Sequence, residues 1–402
     1  MPGNVMSMKN FAPSAMMLAL TVVTSLVTNS IPIFGPVAAD SIGFSAAYVG
    51  YVTSIVYISG MLSAIAAGNL VARHGAIRTC QAGLVLCAIG LALIATAVMP
   101  LVVLGAVLIG LGYGPISPAS SHILAKTTAP DRMAVTFSVR QTGVPLGGFL
   151  AGLLIPTLVL VVGWQVNTLL IALATLACIL TTTSLREALD RDRTPGKPFS
   201  VRKIAASILF VISHAGLRRL ALMSFAFCTV QLTLTTYLVT YLTGYLAMPF
   251  VLAGFVLAAT QLASVVARIL WGWVADRFLS SNLMLVILGV IMSVASIATA
   301  LMTPQWPLAA VVALMMVFGS AAIGWNGVYM AEVARIAPPG TTAATTGASL
   351  FFAYLGGMVG PAVFASIVVA TGSYPTGFAL FGVVTLVISA SSLVRRTGHA
   401  NS

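Results

Sequence analysis

Charged residues are scarce in this chain of 402 residues. Asp, Glu, Lys and Arg together make up 6% of it, whereas a soluble domain is usually about 25% charged. Hydrophobic residues make up 59%. So few charges cannot cover a water-exposed surface, and most side chains must face lipid or the protein interior. The composition therefore excludes a soluble globular domain and predicts an integral membrane protein.

Acidic residues are the rarest charged group, with seven Asp and Glu against 19 Lys and Arg. None lies in the middle of an apolar stretch, and Asp131, Asp276 and Glu332 lie at the ends of such stretches. Proton-coupled exporters of cationic drugs need a buried carboxylate, so this class is disfavoured. Glu332 is the nearest candidate, but pairing with Arg335 three residues later is the better interpretation.

Cysteine and histidine are also few, with four of each. The cysteines lie inside apolar stretches without the spacing of a metal site or a disulfide framework; they are Cys80, Cys87, Cys178 and Cys228. The histidines are dispersed, so neither a metal site nor a catalytic dyad emerges. We expect no metal, no cofactor and no enzymatic activity. The N-terminus has no cationic segment or cleavage site, which predicts a retained first helix.

The positions of the basic residues indicate how many times the chain crosses the membrane. The 19 Lys and Arg residues lie at the N-terminus, near the end of an even-numbered apolar stretch, or between such a stretch and the first turns of the next, and the alternate gaps hold none. This bias places the basic loops and both termini on the cytoplasmic side of the inner membrane. Because the charges are scattered, we expect contact with anionic lipid and none with nucleic acid. The predicted helices are 14–36, 45–71, 77–98, 101–124, 133–157, 160–184, 218–245, 249–275, 282–303, 306–330, 342–370 and 373–394.

The loops between these helices divide the chain in two. The predicted outward loops are short and contain Pro or Gly, as in the segment from Pro156 to Gly163. One loop is longer than the others, and its polar residues with Pro and Gly are typical of a linker. We therefore predict an N-terminal bundle of six helices over 1–185, a cytoplasmic linker over 186–217 and a C-terminal bundle over 218–402. Within the linker, 199–215 is amphipathic and is expected to lie on the inner membrane surface.

A short motif recurs after the second span of each half. It reads G-N-L-V-A-R-H-G from Gly68 and G-W-V-A-D-R from Gly272. With twelve spans, a six-plus-six division and a central linker, the chain resembles the major facilitator superfamily over essentially its whole length. The resemblance implies an all-α fold of two six-helix bundles, a monomer and transport by alternating access.

The family's loop motif has an Asp where this chain has Ala72, and its second copy here lacks the final Gly. In the family the Asp forms a cytoplasmic charge latch at a helix N-terminus. The residues that match the motif, and that the resemblance assigns to a conformational latch, are Gly68, Arg73, Gly75, Gly272, Asp276 and Arg277.

A second resemblance concerns the eighth span. The segment from Ala267 to Ala275 is similar to the corresponding helix of monocarboxylate and oxalate–formate carriers, which use an Arg to hold the substrate carboxylate. The resemblance assigns this role to Arg268. Those carriers also tend to have charged partners, such as a Lys in the first or eleventh helix, which this chain lacks.

Arg140 and Arg268 are the cations inside predicted spans. Arg268 precedes Asp276 by eight residues, which places it about 12 Å inside the cytoplasmic end. A central Arg costs at least about 2.5–3.5 kcal/mol on insertion scales, so it should face a cavity or a partner. In the family fold these two helices meet between the halves, and two guanidinium groups there would bind an anion.

Structural roles remain open for both cations. Arg140 could extend to the inner surface or pair with Asp131, and Arg268 could support Asp276 or bind backbone carbonyls. The other polar residues expected to contact a substrate are Asn29, Gln231, Gln261, Asn326 and Tyr329.

These patterns predict a secondary transporter of a small organic anion, a mono- or dicarboxylate. The substrate would bind between the halves, with or without a proton carried through a group such as His122. The alternative is an exporter of neutral amphipathic compounds, which is favoured if both arginines are structural.

Overall fold

The computed structural model describes residues 5–129, 132–183, 186–191, 201–338 and 342–394. The described residues are mostly α-helical, with one short 3-10 helix at Ala46–Tyr48, and they contain no strand. The helices are α1 Val5–Ser41, α2 Val49–His74, α3 Ala76–Ala95, α4 Met99–Thr127, α5 Met133–Thr183, α6 Arg186–Leu189, α7 Val201–Ser213, α8 Ala215–Gly244, α9 Phe250–Arg277, α10 Ser281–Ala300, α11 Leu308–Gly324, α12 Asn326–Ile336, α13 Thr342–Thr371 and α14 Tyr374–Val394.

Eleven helical segments of the described chain are long and apolar enough to cross a membrane. One of them, α5, has 51 residues and at 1.5 Å per residue is about twice as long as one crossing needs. Gly163 interrupts it with a φ of 80° and a ψ of 160°, a conformation that glycine adopts without steric cost. The segment therefore supplies two crossings, and the predicted fold of twelve transmembrane helices is confirmed.

Two details of the predicted helices are wrong. The outward loop expected from Pro156 to Gly163 is reduced to Gly163, because the helix continues through Pro156. The tenth span is not one continuous helix, since α11 ends at Gly324 and α12 begins at Asn326. Several ends also extend beyond the apolar stretches, because a helix persists where its side chains become polar. Part of the predicted linker, 192–200, lies outside the described residues.

The described chain forms two compact units. One comprises Met1–Gly43 with Ile55–Phe199, and the other comprises Phe44–Ser54 with Ser200–Ser402. The helix predicted in the linker is present as α7, and its Val211 is buried against Leu217 and Ala221 of α8. Leu209 and Ile212 on the same helix are exposed.

Small residues bring helices into close contact in the first unit. In α5, a Cβ at Gly147 would collide with the Val22 carbonyl and lie 2.6 Å from Ser25 Cβ. The Ser25 hydroxyl donates to the Val144 carbonyl at 2.6 Å. The backbones of α1 and α5 therefore approach as in small-xxx-small packing, where tight contact and interhelical hydrogen bonds replace the hydrophobic effect.

The second unit repeats this arrangement between α8 and α13. A Cβ at Gly360 would lie 2.7 Å from the Thr229 carbonyl, and one at Gly356 would collide with the Phe225 carbonyl. The Thr229 hydroxyl donates to the Gly356 carbonyl at 3.1 Å. The first helix of each half thus packs on the fifth by the same device.

The second unit also contains the start of α2. The Tyr237 hydroxyl lies 2.7 Å from the Ala47 carbonyl and 3.3 Å from the Pro361 carbonyl. A Cβ at Gly50 would collide with the Tyr237 hydroxyl. The phenol and the glycine together fix residues 44–54 on the second unit.

We predict that Gly147→Ala lowers the melting temperature of the purified protein. The added methyl group overpacks the contact of α1 with α5, which typically costs about 1–3 kcal/mol. The matched control is Gly68→Ala, since no atom lies within 4 Å of the added Cβ there. The control should melt at the wild-type temperature or slightly above it, because alanine favours helix. Equal melting of the two variants would contradict the packing role of Gly147.

Candidate functional site

The interruption of the tenth span lies at Trp325. Its φ of −66° and ψ of −23° are still helical, so the chain continues in the same sense through the break. The two carbonyls of Ser320 and Ile323, just before it, accept hydrogen bonds from side chains of α9. A Cβ at Gly324 would lie 3.0 Å from the Trp271 ring. The glycine therefore leaves room for α9 to come close to the interruption.

Arg268 is one of the two α9 side chains that make these bonds. Its Nη2 donates to the Ile323 carbonyl at 3.1 Å, and one turn later the Trp271 Nε1 donates to the Ser320 carbonyl at 2.8 Å. The binding of a backbone carbonyl was one of the open alternatives for Arg268, and the structure contains that contact. The contact fixes the orientation of the planar guanidinium group, which has five N–H donors in all.

Gln231 of α8 reaches the same interruption from another side. Its Oε1 accepts a hydrogen bond from the Trp325 Nε1 at 2.9 Å. The indole is 1% exposed and packs edge-on against Phe227 at 5.5 Å and Tyr329 at 5.2 Å between ring centroids. Asn326 begins α12, and its Nδ2 lies 3.4 Å from the Ile323 carbonyl.

Gln261 lies on the same face of α9 as Arg268, about two turns earlier. The side chain is buried, and its Oε1 accepts no hydrogen bond from any described residue. A buried acceptor without a donor costs about 1–3 kcal/mol. The Tyr329 hydroxyl is also buried, and it lies beside the hydroxyl groups of Ser224 and Ser349. Gln261 Oε1 therefore lacks a donor among the described residues, whereas the Tyr329 hydroxyl has polar neighbours.

Arg140 belongs to the first unit and is 4% exposed. Its Nη1 lies 3.4 Å from both the carbonyl and the hydroxyl of Ser117, and its Nη2 lies 3.3 Å from Gln141 Oε1. The guanidinium carbon is 6.0 Å from the centre of the Phe137 ring. Asp131, the alternative partner considered from the sequence, lies outside the described residues.

Asn29, the other predicted contact in the first unit, is bound within its own helix. Its Nδ2 donates to the Ser25 carbonyl at 2.8 Å and to the Ser25 hydroxyl at 3.1 Å. Four of the seven predicted contact residues belong to the tenth span or contact it, namely Arg268, Gln231, Asn326 and Tyr329, and Gln261 lies about two turns before Arg268 on α9. Within the described part of the chain, no three His, Cys, Asp or Glu residues are grouped as a metal site.

The loop between α2 and α3 of the first unit is held by a residue that the motif did not indicate. Asp190, after α6, is 1% exposed. Its Oδ1 accepts from the Ile77 N–H at 2.8 Å and its Oδ2 from the Arg78 N–H at 3.2 Å. These N–H groups lie in the first turn of α3, where a carboxylate also interacts favourably with the helix dipole.

Gly75 makes room for this carboxylate. Its φ is 97°, and a Cβ there would lie 2.6 Å from either oxygen of Asp190. The Lys126 ammonium group lies 3.5 Å from the carbonyl of the buried Leu189. The start of the linker is therefore anchored to the loop between α2 and α3.

In the corresponding loop of the second unit, a side chain of the loop itself caps the next helix. The Ser280 hydroxyl accepts from the Leu283 N–H at 3.3 Å and caps α10. The other motif residues offer no such contact: Gly68 and Gly272 face open space, and the exposed residues are Arg73, Asp276 and Arg277. Their role in a latch stays a prediction.

Twelve apolar crossings with polar groups gathered inside each unit define a multi-pass membrane transport protein. The chain belongs to the Major Facilitator Superfamily, whose sequence profile matches residues 16–361. This is a family of transporters and not of enzymes. No curated protein sequence matches the chain.

Solved structures share the fold at low identity. A POT family transporter in complex with 5-aminolevulinic acid has a TM-score of 0.79 and 13% identity, covering 95% of each chain. The nucleoside transporter NupG has a TM-score of 0.78 and 15% identity, covering 95% of this chain and 99% of its own. A peptide transporter POT in complex with sulfate has a TM-score of 0.75 and 16% identity, covering 96% and 94%.

We predict that Asp190→Ala destabilises the protein by about 1–2 kcal/mol, the usual cost of removing a side chain that caps a helix. Thermal unfolding of the purified protein measures this loss. Asp40→Ala is the control, because Asp40 is an exposed carboxylate at the end of α1. Gly75→Ala should be at least as harmful as Asp190→Ala, since it strains the backbone and displaces the carboxylate. If Asp190→Ala and Asp40→Ala unfold alike, Asp190 does not anchor the loop.

Proposed function

We propose that this protein is a secondary transporter that moves a small organic anion bearing a carboxylate across the inner membrane by alternating access. Arg268 is the principal anchor for the carboxylate, and Arg140 is a second cationic contact. The observation that carries the proposal is the guanidinium group of Arg268, which the Ile323 carbonyl holds in a fixed orientation inside an apolar span.

The chemistry of arginine favours an anion at this place. A guanidinium group keeps its charge and can donate two parallel hydrogen bonds to a carboxylate. The bond to Ile323 is one of the polar contacts of this group. A charge inside a membrane span is costly and therefore usually marks a site of function.

The scarcity of carboxylates supports the same conclusion. Beyond residue 199, the acids of the chain are Asp276 and Glu332. Glu332 is engaged by Arg335, whose Nε and Nη2 donate to its two oxygens at 2.8 Å and 2.6 Å. This pairing confirms the interpretation from the sequence. A substrate carboxylate would supply a negative charge to pair with Arg268, since acidic residues are few in this half of the chain.

The polar groups around Arg268 suit the rest of a small substrate. Gln231, Gln261, Asn326 and Tyr329 supply amide and hydroxyl groups within the second unit. Asn29 and Arg140 supply polar groups within the first unit. Known structures of the same fold hold anionic groups too, since one binds 5-aminolevulinic acid and another sulfate. At 13–16% identity they support the fold alone.

The orientation and the partners belong to the proposal as well. The distribution of basic residues along the sequence supports a cytoplasmic position for both termini and an attraction to anionic lipid. The protein acts as a monomer, and a proton can accompany the substrate through its own carboxyl group or through His122. The motif residues Gly68, Arg73, Gly75, Gly272, Asp276 and Arg277 are proposed to act in the conformational latch.

A second candidate function is the export of neutral amphipathic compounds. It is favoured by one observation: both guanidinium groups lie within hydrogen-bond distance of a main-chain carbonyl, Arg268 with Ile323 and Arg140 with Ser117. If the two guanidinium groups form only these bonds and bind no substrate, their role is to join neighbouring helices.

A thermal-shift screen separates the two functions. We predict that benzoate, lactate or succinate raises the melting temperature of the purified protein and that the methyl esters do not. Arg268→Gln should weaken carboxylate binding by about ten- to a hundredfold, as expected for the loss of a hydrogen bond to a charged group. Arg140→Gln should have a smaller effect.

The matched control is Arg78→Gln, which removes an exposed guanidinium group from the first turn of α3. It should bind carboxylates like the wild type. Equal stabilisation of the wild type and Arg268→Gln by carboxylates would show that Arg268 is not the anchor. Stabilisation by the esters alone would favour the export of neutral compounds.

A further inference from the structure

Gln231 is held in one orientation by the indole of Trp325. An indole N–H can only donate, so the amide of Gln231 must turn its oxygen toward it. The Nε1–Oε1 distance of 2.9 Å agrees with this assignment. The amide nitrogen therefore points away from Trp325, and it donates to no described residue.

The indole itself has little freedom to move. Phe227 and Tyr329 pack edge-on against it, and all three aromatic side chains are fully buried. Repacking of this cluster would cost the contacts of large buried rings. The direction of the Trp325 N–H is thus fixed by the core of the second unit.

The segment Ile323–Trp325, which contains this indole, also orients Arg268. The Ile323 carbonyl accepts from its Nη2 at 3.1 Å, two residues before Trp325. Gly324 between them keeps the backbone within reach of α9, because a Cβ there would press on the Trp271 ring. One interruption in the tenth span therefore orients an arginine from α9 and a glutamine from α8.

We infer that the interruption Ile323–Trp325 determines substrate specificity by fixing Gln231 so that it presents N–H donors beside Arg268. A carboxylate, which only accepts hydrogen bonds, fits the N–H donors of Gln231, whereas the NH₂ group of a primary amide of the same shape would meet those donors with donors of its own. Trp325 is a positioning residue that acts through Gln231. This inference rests on the proposed transport of an anion.

A double-mutant cycle tests the coupling of the two residues. The variants are Trp325→Phe, Gln231→Leu and their combination, in the full-length purified protein. The probes are benzoate, lactate and succinate, each with its amide counterpart benzamide, lactamide or succinamide. Affinities come from the dependence of the melting temperature on probe concentration.

Each single variant should bind the carboxylate about five- to tenfold more weakly, as expected for the loss of one hydrogen bond. In Trp325→Phe the amide of Gln231 can turn over and offer its oxygen, so discrimination against the amide probes should fall by a similar factor. The double variant should bind no worse than the weaker single variant, because Trp325 has no route to the substrate except through Gln231.

Trp164→Phe is the control for the loss of a buried indole. Trp164 is 4% exposed, and its Nε1 donates to the Ser41 hydroxyl at 3.0 Å in the first unit. This variant should keep the wild-type affinities, whatever its effect on stability.

The outcomes separate the inference from the proposed function. Additive losses in the double variant, or an unchanged preference for carboxylates in Trp325→Phe, would overturn the positioning role while transport of an anion stands. Binding of the amides but of none of the three carboxylates by the wild type would overturn the proposed function and this inference together.

Discussion

The structure depends on one constraint: inside a lipid-facing bundle, every polar group must find its partner within the protein. The hydrogen bond from Arg268 to the Ile323 carbonyl is the clearest result of this constraint. It binds a charged side chain of one helix to the backbone of another at the point where the second helix is interrupted. The contact therefore constrains the geometry around it.

The same constraint accounts for the packing of both units. Helices that cannot rely on the hydrophobic effect against lipid are joined by glycines and by hydroxyl groups that donate to carbonyls of the neighbouring helix. Ser25 does this in the first unit and Thr229 in the second. Where α3 begins, Asp190 supplies acceptors for N–H groups that the helix cannot pair itself.

Much of the architecture could be predicted from the sequence, because lipid imposes a length and a charge bias that are visible in one dimension. The twelve crossings and the pair of Glu332 with Arg335 follow from such local patterns. The interruption at Trp325 could not be predicted, since its dihedral angles stay helical and the side chains that bond the carbonyls before it come from α9. The role of Asp190 could not be predicted either, because its hydrogen-bond partners are 112 and 113 residues away in the sequence. An Asp just after the sixth span was the available signal, but a linker is where acidic residues are expected anyway.

The central proposal is that the charge of Arg268 binds an anionic substrate as well as the backbone. The most direct measurement is exchange of labelled carboxylate across the membrane of proteoliposomes that contain the purified protein, with unlabelled carboxylate inside. We expect rapid exchange by the wild type and exchange at the rate of empty liposomes by Arg268→Gln. Exchange by Arg268→Gln at the wild-type rate would contradict it, because the guanidinium group would then serve the tenth span alone.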